Sequence, residues 1–157
     1  MKRLDRENIK VIAKNKKAYH DYFIQESMEA GIELCGTEVK SIRSGGVNLK
    51  DSWCSVVKGE LMVNGMHISP YEKGNIFNKD PYRPRRLLMH KKEILKLFGT
   101  LKQEGISLIP LSIYFKGSLV KIEVGLCKGK KLYDKRAVMA EKSAKRDIDR
   151  SLKERNR

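Results

Sequence analysis

From position 108 to position 127 the sequence keeps a two-residue rhythm that a pair of antiparallel strands satisfies. Ile109, Leu111, Ile113 and Phe115 alternate with Leu108, Ser112 and Tyr114. After the turn Lys116-Gly117-Ser118, Val120, Ile122, Val124 and Leu126 alternate with Lys121, Glu123 and Cys127. Successive side chains of a strand point to opposite faces, so each half presents one apolar face inward. A second hairpin is expected over Trp53–Val57 and Glu60–Val63, where Lys58-Gly59 is the two-residue connection a tight hairpin needs. Between the hairpins the period changes. Ile94, Leu97, Phe98 and Leu101 fall at i, i+3, i+4 and i+7, which predicts a helix with Lys91, Lys92, Lys96 and Lys102 mostly on other faces and Gly105 as its stop. Burying four such side chains, at roughly 1.5–3 kcal/mol each, outweighs the cost of about 1 kcal/mol for Gly99 inside the helix.

Gly36–Arg43 reads as a short helix with Thr37 as N-cap, Val39 and Ile42 on one face, and Gly45-Gly46 as its end. Tyr19 to Ile24 is rich in β-favouring aromatics. Short strands, two hairpins, one inserted helix and no β-α-β alternation make the expected class mainly β (α+β). The architecture that follows is a small closed OB-like antiparallel β-barrel with flanking short helices. The barrel is assigned to residues 18–130, after a basic flexible arm over 1–17 and before a basic tail over 131–157. In that tail Ala140, Ala144, Ile148 and Leu152 recur every four residues. Such a stripe drifts round a helix and is too thin to anchor a core, so the tail is expected to be disordered alone and helical when held by a partner.

Charge narrows the partner. The chain has 34 Lys or Arg against 19 Asp or Glu, a net +15, and its last 30 residues hold twelve of those cations against five acids. Such a surface attracts phosphate. Three basic clusters stand out: Arg83-Pro84-Arg85-Arg86, read as a rigid turn whose three guanidiniums each fork onto a phosphate; Lys128-Gly129-Lys130-Lys131; and Asp134-Lys135-Arg136. Phosphate contacts give affinity without selectivity, which would come from shape and from stacking on exposed aromatics such as Tyr19, Tyr22, Trp53 or Tyr82. No apolar run reaches the roughly 18 residues of a membrane span. The charged start Met1-Lys2-Arg3-Leu4-Asp5-Arg6-Glu7 lacks the apolar centre of a signal peptide, so a cytoplasmic chain with reduced thiols is expected. Cys35, Cys54 and Cys127, three at unrelated spacings, read as neutral thiols. There is no G-x-x-x-x-G-K-[ST], no G-x-G-x-x-G and no H-E-x-x-H, and no catalytic residue, metal or cofactor is assigned. Two other readings stay open on the residues alone: a metal-dependent nuclease in which Asp21, Glu29, Glu38 and Asp51 converge on Mg²⁺, and a generic OB-type RNA-binding or ribosome-assembly protein.

Glu29-Ala30-Gly31-Ile32-Glu33-Leu34 and Gly36-Thr37-Glu38-Val39-Lys40-Ser41-Ile42-Arg43 closely resemble the SsrA-binding protein (SmpB) family. So do Val47-Asn48-Leu49 with Asp51-Ser52, Gly59-Glu60, His67-Ile68-Ser69-Pro70-Tyr71 and Gly74-Asn75. Arg83, Arg85-Arg86-Leu87-Leu88 and Lys128-Gly129-Lys130-Lys131 with Asp134-Lys135-Arg136 continue the match, which covers about Lys16 to Arg136. Trp53 stands where that family more often has a smaller aromatic, and Arg86 where lysine is usual. The resemblance implies a non-enzymatic, monomeric adaptor that binds the tRNA-like domain of transfer-messenger RNA (tmRNA) and brings it to ribosomes stalled without a usable stop codon. It further implies that Glu29, Leu88 and Lys121 hold the RNA elbow and D-loop, and that His20 faces the decoding centre. Gly129, Lys130, Lys131, Asp134, Lys135 and Arg136 would lead into that centre, with the tail helical in the empty mRNA channel.

Overall fold

In chain order the computed structural model runs β1 (Ile9–Lys14), α1 (Lys16–Asp21), β2 (Tyr22–Ile32), α2 (Gly36–Arg43), β3 (Val47–Asn48), β4 (Trp53–Val57), β5 (Glu60–Asn64), β6 (His67–Ile68), β7 (Arg85–Leu88), α3 (Lys91–Leu101), β8 (Ile106–Lys116), β9 (Leu119–Gly129) and α4 (Leu132–Arg155). It describes residues 8–73, 76, 78–103, 105–130 and 132–155. The expected long hairpin is its spine. β8 pairs with β9 on one edge and with β4 on the other, and the pairs β4–β5, β5–β7, β7–β2 and β2–β9 complete a closed antiparallel ring. A ring leaves no long unpaired edge, and its interior is filled by side chains such as Leu61, Val63, Leu87, Leu108, Ile113, Ile122 and Val124.

β1 shares the β4 edge of β8, covering Ser112 to Lys116 while β4 meets it at Leu108. Asn15 seals the gap between them. Its N–H donates to the Leu111 carbonyl (2.7 Å), its Nδ2 to the Pro110 (2.9 Å) and Leu49 (3.2 Å) carbonyls, and its Oδ1 accepts from Ala18 N–H at the start of α1. Pro110 falls at this interruption of the ladder, where a missing N–H leaves no strand pair broken. So the stretch 1–17, expected as a loose arm, holds a paired strand and a buried cap from Ile9 to Asn15, while residues 1–7 lie outside the described residues. With Asn15 as its cap, Tyr19-His20-Asp21 is helical rather than extended.

The alternation of β8 is not continuous. Its register against β9 slips between Pro110 and Ser112, leaving Leu111 as the extra residue of a bulge. Leu108, Ile113 and Phe115 therefore enter the barrel core, while Ile109 and Leu111 face the other way and pack with Ala18 and Cys127 beneath α1. The second hairpin forms as expected: Val57 pairs with Glu60, and Lys58 (φ 52°) and Gly59 (φ 77°) make the left-handed turn that suits the strand twist. In α3, Ile94 and Leu97 are buried, but Phe98 is 43% exposed with the Lys102 ammonium 4.5 Å from its ring centroid. α2 is capped by Cys35 rather than by Thr37. No helix among the described residues is long and apolar enough to cross a membrane.

Candidate nucleic-acid interface

β7 alternates inward and outward: Arg85 and Leu87 are buried, Arg86 and Leu88 are exposed. That parity dismantles the expected cationic turn. The Arg85 side chain is 1% exposed, and its Nε donates to Glu38 Oε2 at 2.5 Å, Nη1 to the Met66 carbonyl (2.9 Å) and Nη2 to the Pro81 carbonyl (3.1 Å). Arg83 Nη2 donates to the other Glu38 oxygen and lies 3.6 Å from Cys35 Sγ. Glu38 also accepts the Cys35 N–H (3.0 Å), capping α2 with the carboxylate that binds both arginines. Burial alone would raise the Glu38 carboxyl, but hydrogen bonds from Arg83, Cys35 N–H and Arg85 overcome it and hold the group below its ordinary range. Arg85 is thus a structural cation rather than an RNA contact, and Arg83 is committed to the same carboxylate. Arg86 alone of the three is half exposed, 3.7 Å from Glu60 Oε1.

The outward row of β7 leads to a different cluster. β2 runs between β7 and β9, and Gly31 pairs with Leu88 on one side and Lys121 on the other. Glu29, two residues earlier, shares that face. A groove of about 470 Å³ results, lined by Glu29, Gly31, Leu88, His90, Glu93 and Lys121 together with Ala30 and Met89. Gly31 makes its floor, since a Cβ there would sit 3.2 Å from Leu88 Cβ. Leu88 is 47% exposed, whereas its neighbour Leu87 is in the core. Glu29 is positioned from below: it accepts from the Tyr114 hydroxyl and lies 3.6 Å from Lys116 Nζ. Burial, then the bond to Glu29, push the Tyr114 hydroxyl above its ordinary value, which keeps it a donor. The family resemblance points to Glu29, Leu88 and Lys121; the structure adds Gly31, His90 and Glu93 to the groove and Tyr114 beneath Glu29. A glycine inside an otherwise alternating strand was the available signal.

The other end of the β2–β9 pair carries the second predicted group. Tyr22 pairs with Gly129, and Lys130 N–H donates to the Asp21 carbonyl (2.9 Å). His20, 75% exposed at the end of α1, has Nδ1 2.9 Å from Asp21 Oδ1, and Lys130 Nζ lies 4.9 Å from the Phe23 ring centroid. Lys131 lies outside the described residues. Asp134, Lys135 and Arg136 fall in the first turns of α4, and their side chains lie outside the described set. At about 3.3 Å per residue, this end and the Glu29 groove are roughly 20 Å apart along β2.

Of the aromatics considered for stacking, Tyr19, Trp53 and Tyr82 are exposed, and Tyr22 packs against the Ile109–Leu111 cluster. The acidic residues considered for Mg²⁺ do not converge as a set: Asp21 and Asp51 line one pocket with Lys17, but Glu29 and Glu38 lie elsewhere, and no three metal-ligating side chains cluster among the described residues. Glu38 is buried between Arg83 and Arg85, Glu29 faces Tyr114 and Lys116, and Asp51 pairs with Lys17 at 2.6 Å. Burial raises the Cys127 thiol to about 11 and also pushes Cys54 up, so both stay neutral.

Known proteins share this layout. A family model described as SmpB protein matches residues 12–154. The SsrA-binding protein of Clostridium perfringens is 60% identical over 152 residues, 97% of this chain and 97% of its own. That of Ruminiclostridium cellulolyticum is 60% identical over 149 residues, 95% of this chain and 97% of its own. A solved structure described as "tmRNA-SmpB: a journey to the center of the bacterial ribosome" aligns with a TM-score of 0.66 and 47% identity, over 76% of this chain and 85% of the other. With a match that runs from the end of β1 nearly to the end of α4, the chain belongs to the SmpB protein family.

Proposed function

We propose that the protein is an RNA-binding adaptor that grips the tRNA-like domain of tmRNA and delivers it to stalled ribosomes for trans-translation. The observation that carries this is the Leu88–Gly31–Lys121 row with Glu29 beside it: an exposed apolar side chain, a backbone floor, a cation and a hydrogen-bond acceptor in one groove. Leu88 packs on an unstacked base and Lys121 neutralises phosphate. Glu29, held by Tyr114, accepts from a base edge or a 2′-hydroxyl. Single-stranded loops and elbows offer such groups, whereas the deep groove of an A-form helix hides them. The barrel over 18–130 is the RNA-binding part, with Arg86 as an accessory phosphate contact. At the far end His20, Gly129 and Lys130 face the decoding centre, and the tail over 131–157 lies in the mRNA channel when no message fills it. Such work belongs in the cytoplasm, with one copy of the chain per RNA.

Sequencing the RNA that co-purifies with the tagged protein tests this directly. tmRNA should dominate, and Leu88→Ala with Lys121→Glu should remove it. Bulk RNA without tmRNA would overturn the reading. Binding should also weaken with salt, with a log–log slope of about −0.7 to −0.9 per neutralised phosphate, and a flat response would show that the charge serves only solubility. Gly31→Val raises the groove floor against Leu88. It should lower affinity for the tRNA-like domain by roughly tenfold or more, the loss of one base contact, while the barrel still unfolds cooperatively in thermal melts. An unchanged affinity would place the RNA elsewhere on the barrel.

A further inference from the structure

The ladder between β4 and β8 is the thinnest seam of the barrel, a single residue pair, Cys54 with Leu108. Beside that pair the strands part, and a groove of about 390 Å³ opens between them and α3, lined by Tyr22, Trp53, Ser55, Phe98, Lys102 and Ser107 among others. The volume suits one small planar ligand. Among the described residues none of those lining it is acidic, and their one charge is the Lys102 ammonium. Trp53, the single tryptophan of the chain, stays 51% exposed although an indole gains much from burial. The ring is nonetheless braced. Gly65, at φ 74°, lies so close that a Cβ there would come within 3.0 Å of Trp53 Cζ3 and of the Asp51 carbonyl. One side of the indole therefore rests on backbone while the rest stays open. Tyr22 lines the same groove and pairs with Gly129, which makes the groove continuous with the His20–Lys130 end.

We infer that this groove takes an unpaired base of ribosomal RNA, stacked on Trp53, as a second point of grip beside His20. The inference rests on the adaptor reading, which supplies an RNA partner at this end. Every base has a π-face for an indole, and the cation suits the attached phosphate. The parted strands and the hydroxyls of Ser55 and Ser107 offer hydrogen bonds to the base edge. The source is ribosomal RNA rather than the tRNA-like domain because the groove opens at the opposite end of β2 from Glu29 and Leu88.

The test compares the full chain with Trp53→Ala and Trp53→Phe, RNA-free for binding to the isolated tRNA-like domain and loaded with tmRNA for binding to small ribosomal subunits. Trp53→Ala should weaken subunit binding roughly 5- to 150-fold, the span of one lost base stack. Trp53→Phe should recover most of it, and tRNA-like-domain affinity should not move. Unchanged subunit binding by Trp53→Ala, or a loss confined to the tRNA-like domain, overturns the inference. A photoreactive benzophenone amino acid in place of Trp53 gives an answer independent of affinity. Its cross-links should map to unpaired small-subunit RNA, and cross-links only to ribosomal protein or to tmRNA overturn the inference. Should the unaltered chain bind neither RNA, the adaptor reading itself falls, a result distinct from an indifferent Trp53.

Discussion

Glu38→Gln will lower the melting temperature of the barrel more than any single change on its outer surface. The carboxylate is enclosed with Arg85 and Arg83 and also caps α2 through Cys35 N–H. Glutamine keeps the shape and removes the charge, leaving the Arg85 guanidinium buried without a counter-ion. Breaking such a pair from one side costs about 3–5 kcal/mol, which for a chain of this size shifts the midpoint by roughly 6–20 °C. The effect carries a pH signature. Arg83, Cys35 N–H and Arg85 outweigh burial and hold the folded Glu38 carboxyl below its ordinary value of 4.5. A depressed folded pKa contributes stability that is present above the unfolded pKa and lost as pH falls through the folded one. Melts followed by circular dichroism should therefore show the widest gap between native protein and Glu38→Gln at neutral pH. The gap should begin to narrow as pH falls below about 4.5, where the unfolded carboxyl takes up its proton, and close as pH falls through the lower native value. A gap that ignores pH would mean that packing, not charge, is what the substitution removed.

The same carboxylate marks where sequence reading stops. Periodicity is local, so the β8–β9 hairpin, the Lys58-Gly59 turn and the Ile94–Leu97 face of α3 were legible from neighbours within a few positions. Arg83, Arg85 and Arg86 looked alike because their difference is set elsewhere. Glu38, on another helix, claims Arg83 and Arg85, and the inward parity of β7 buries Arg85 while turning Arg86 to solvent. The extra residue at Leu111 was equally hidden, since a bulge shifts alternation without changing composition. β1 was missed although Ile9, Val11 and Ala13 alternate with Lys10 and Lys14, because so short a run among flanking lysines shows no partner of its own; pairing with β8 and the bonds of Asn15 to Leu49, Pro110 and Leu111 order it. The groove residues were reached by another route. Glu29, Leu88 and Lys121 were named from resemblance to a family, and only the closed sheet explains why three distant positions form one groove around Gly31.

Deleting residues 131–157 should abolish tagging on stalled ribosomes and leave affinity for tmRNA within a few-fold. α4 leaves the barrel just after Lys130, and the described side chains from Lys142 to Lys153 are exposed, Ile148 and Leu152 among them. Nothing in the Glu29 groove depends on them. At about 1.5 Å per residue, a helix from Leu132 to Arg155 is roughly 36 Å long, a rod fit for a channel rather than for a pocket. The deleted segment carries ten Lys or Arg against five Asp or Glu, so its attraction to RNA is electrostatic and tolerant of sequence. The opposite change, Lys121→Glu with Leu88→Ala, should remove tmRNA binding and leave α4 intact. Gel-shift titration with the tRNA-like domain and a tagging assay on ribosomes holding a message without a stop codon separate the two. If truncation weakens the RNA complex by orders of magnitude, the tail is part of the grip and the two ends of β2 do not divide the labour. If it spares both readouts, the cations of α4 have no part in sensing the empty channel.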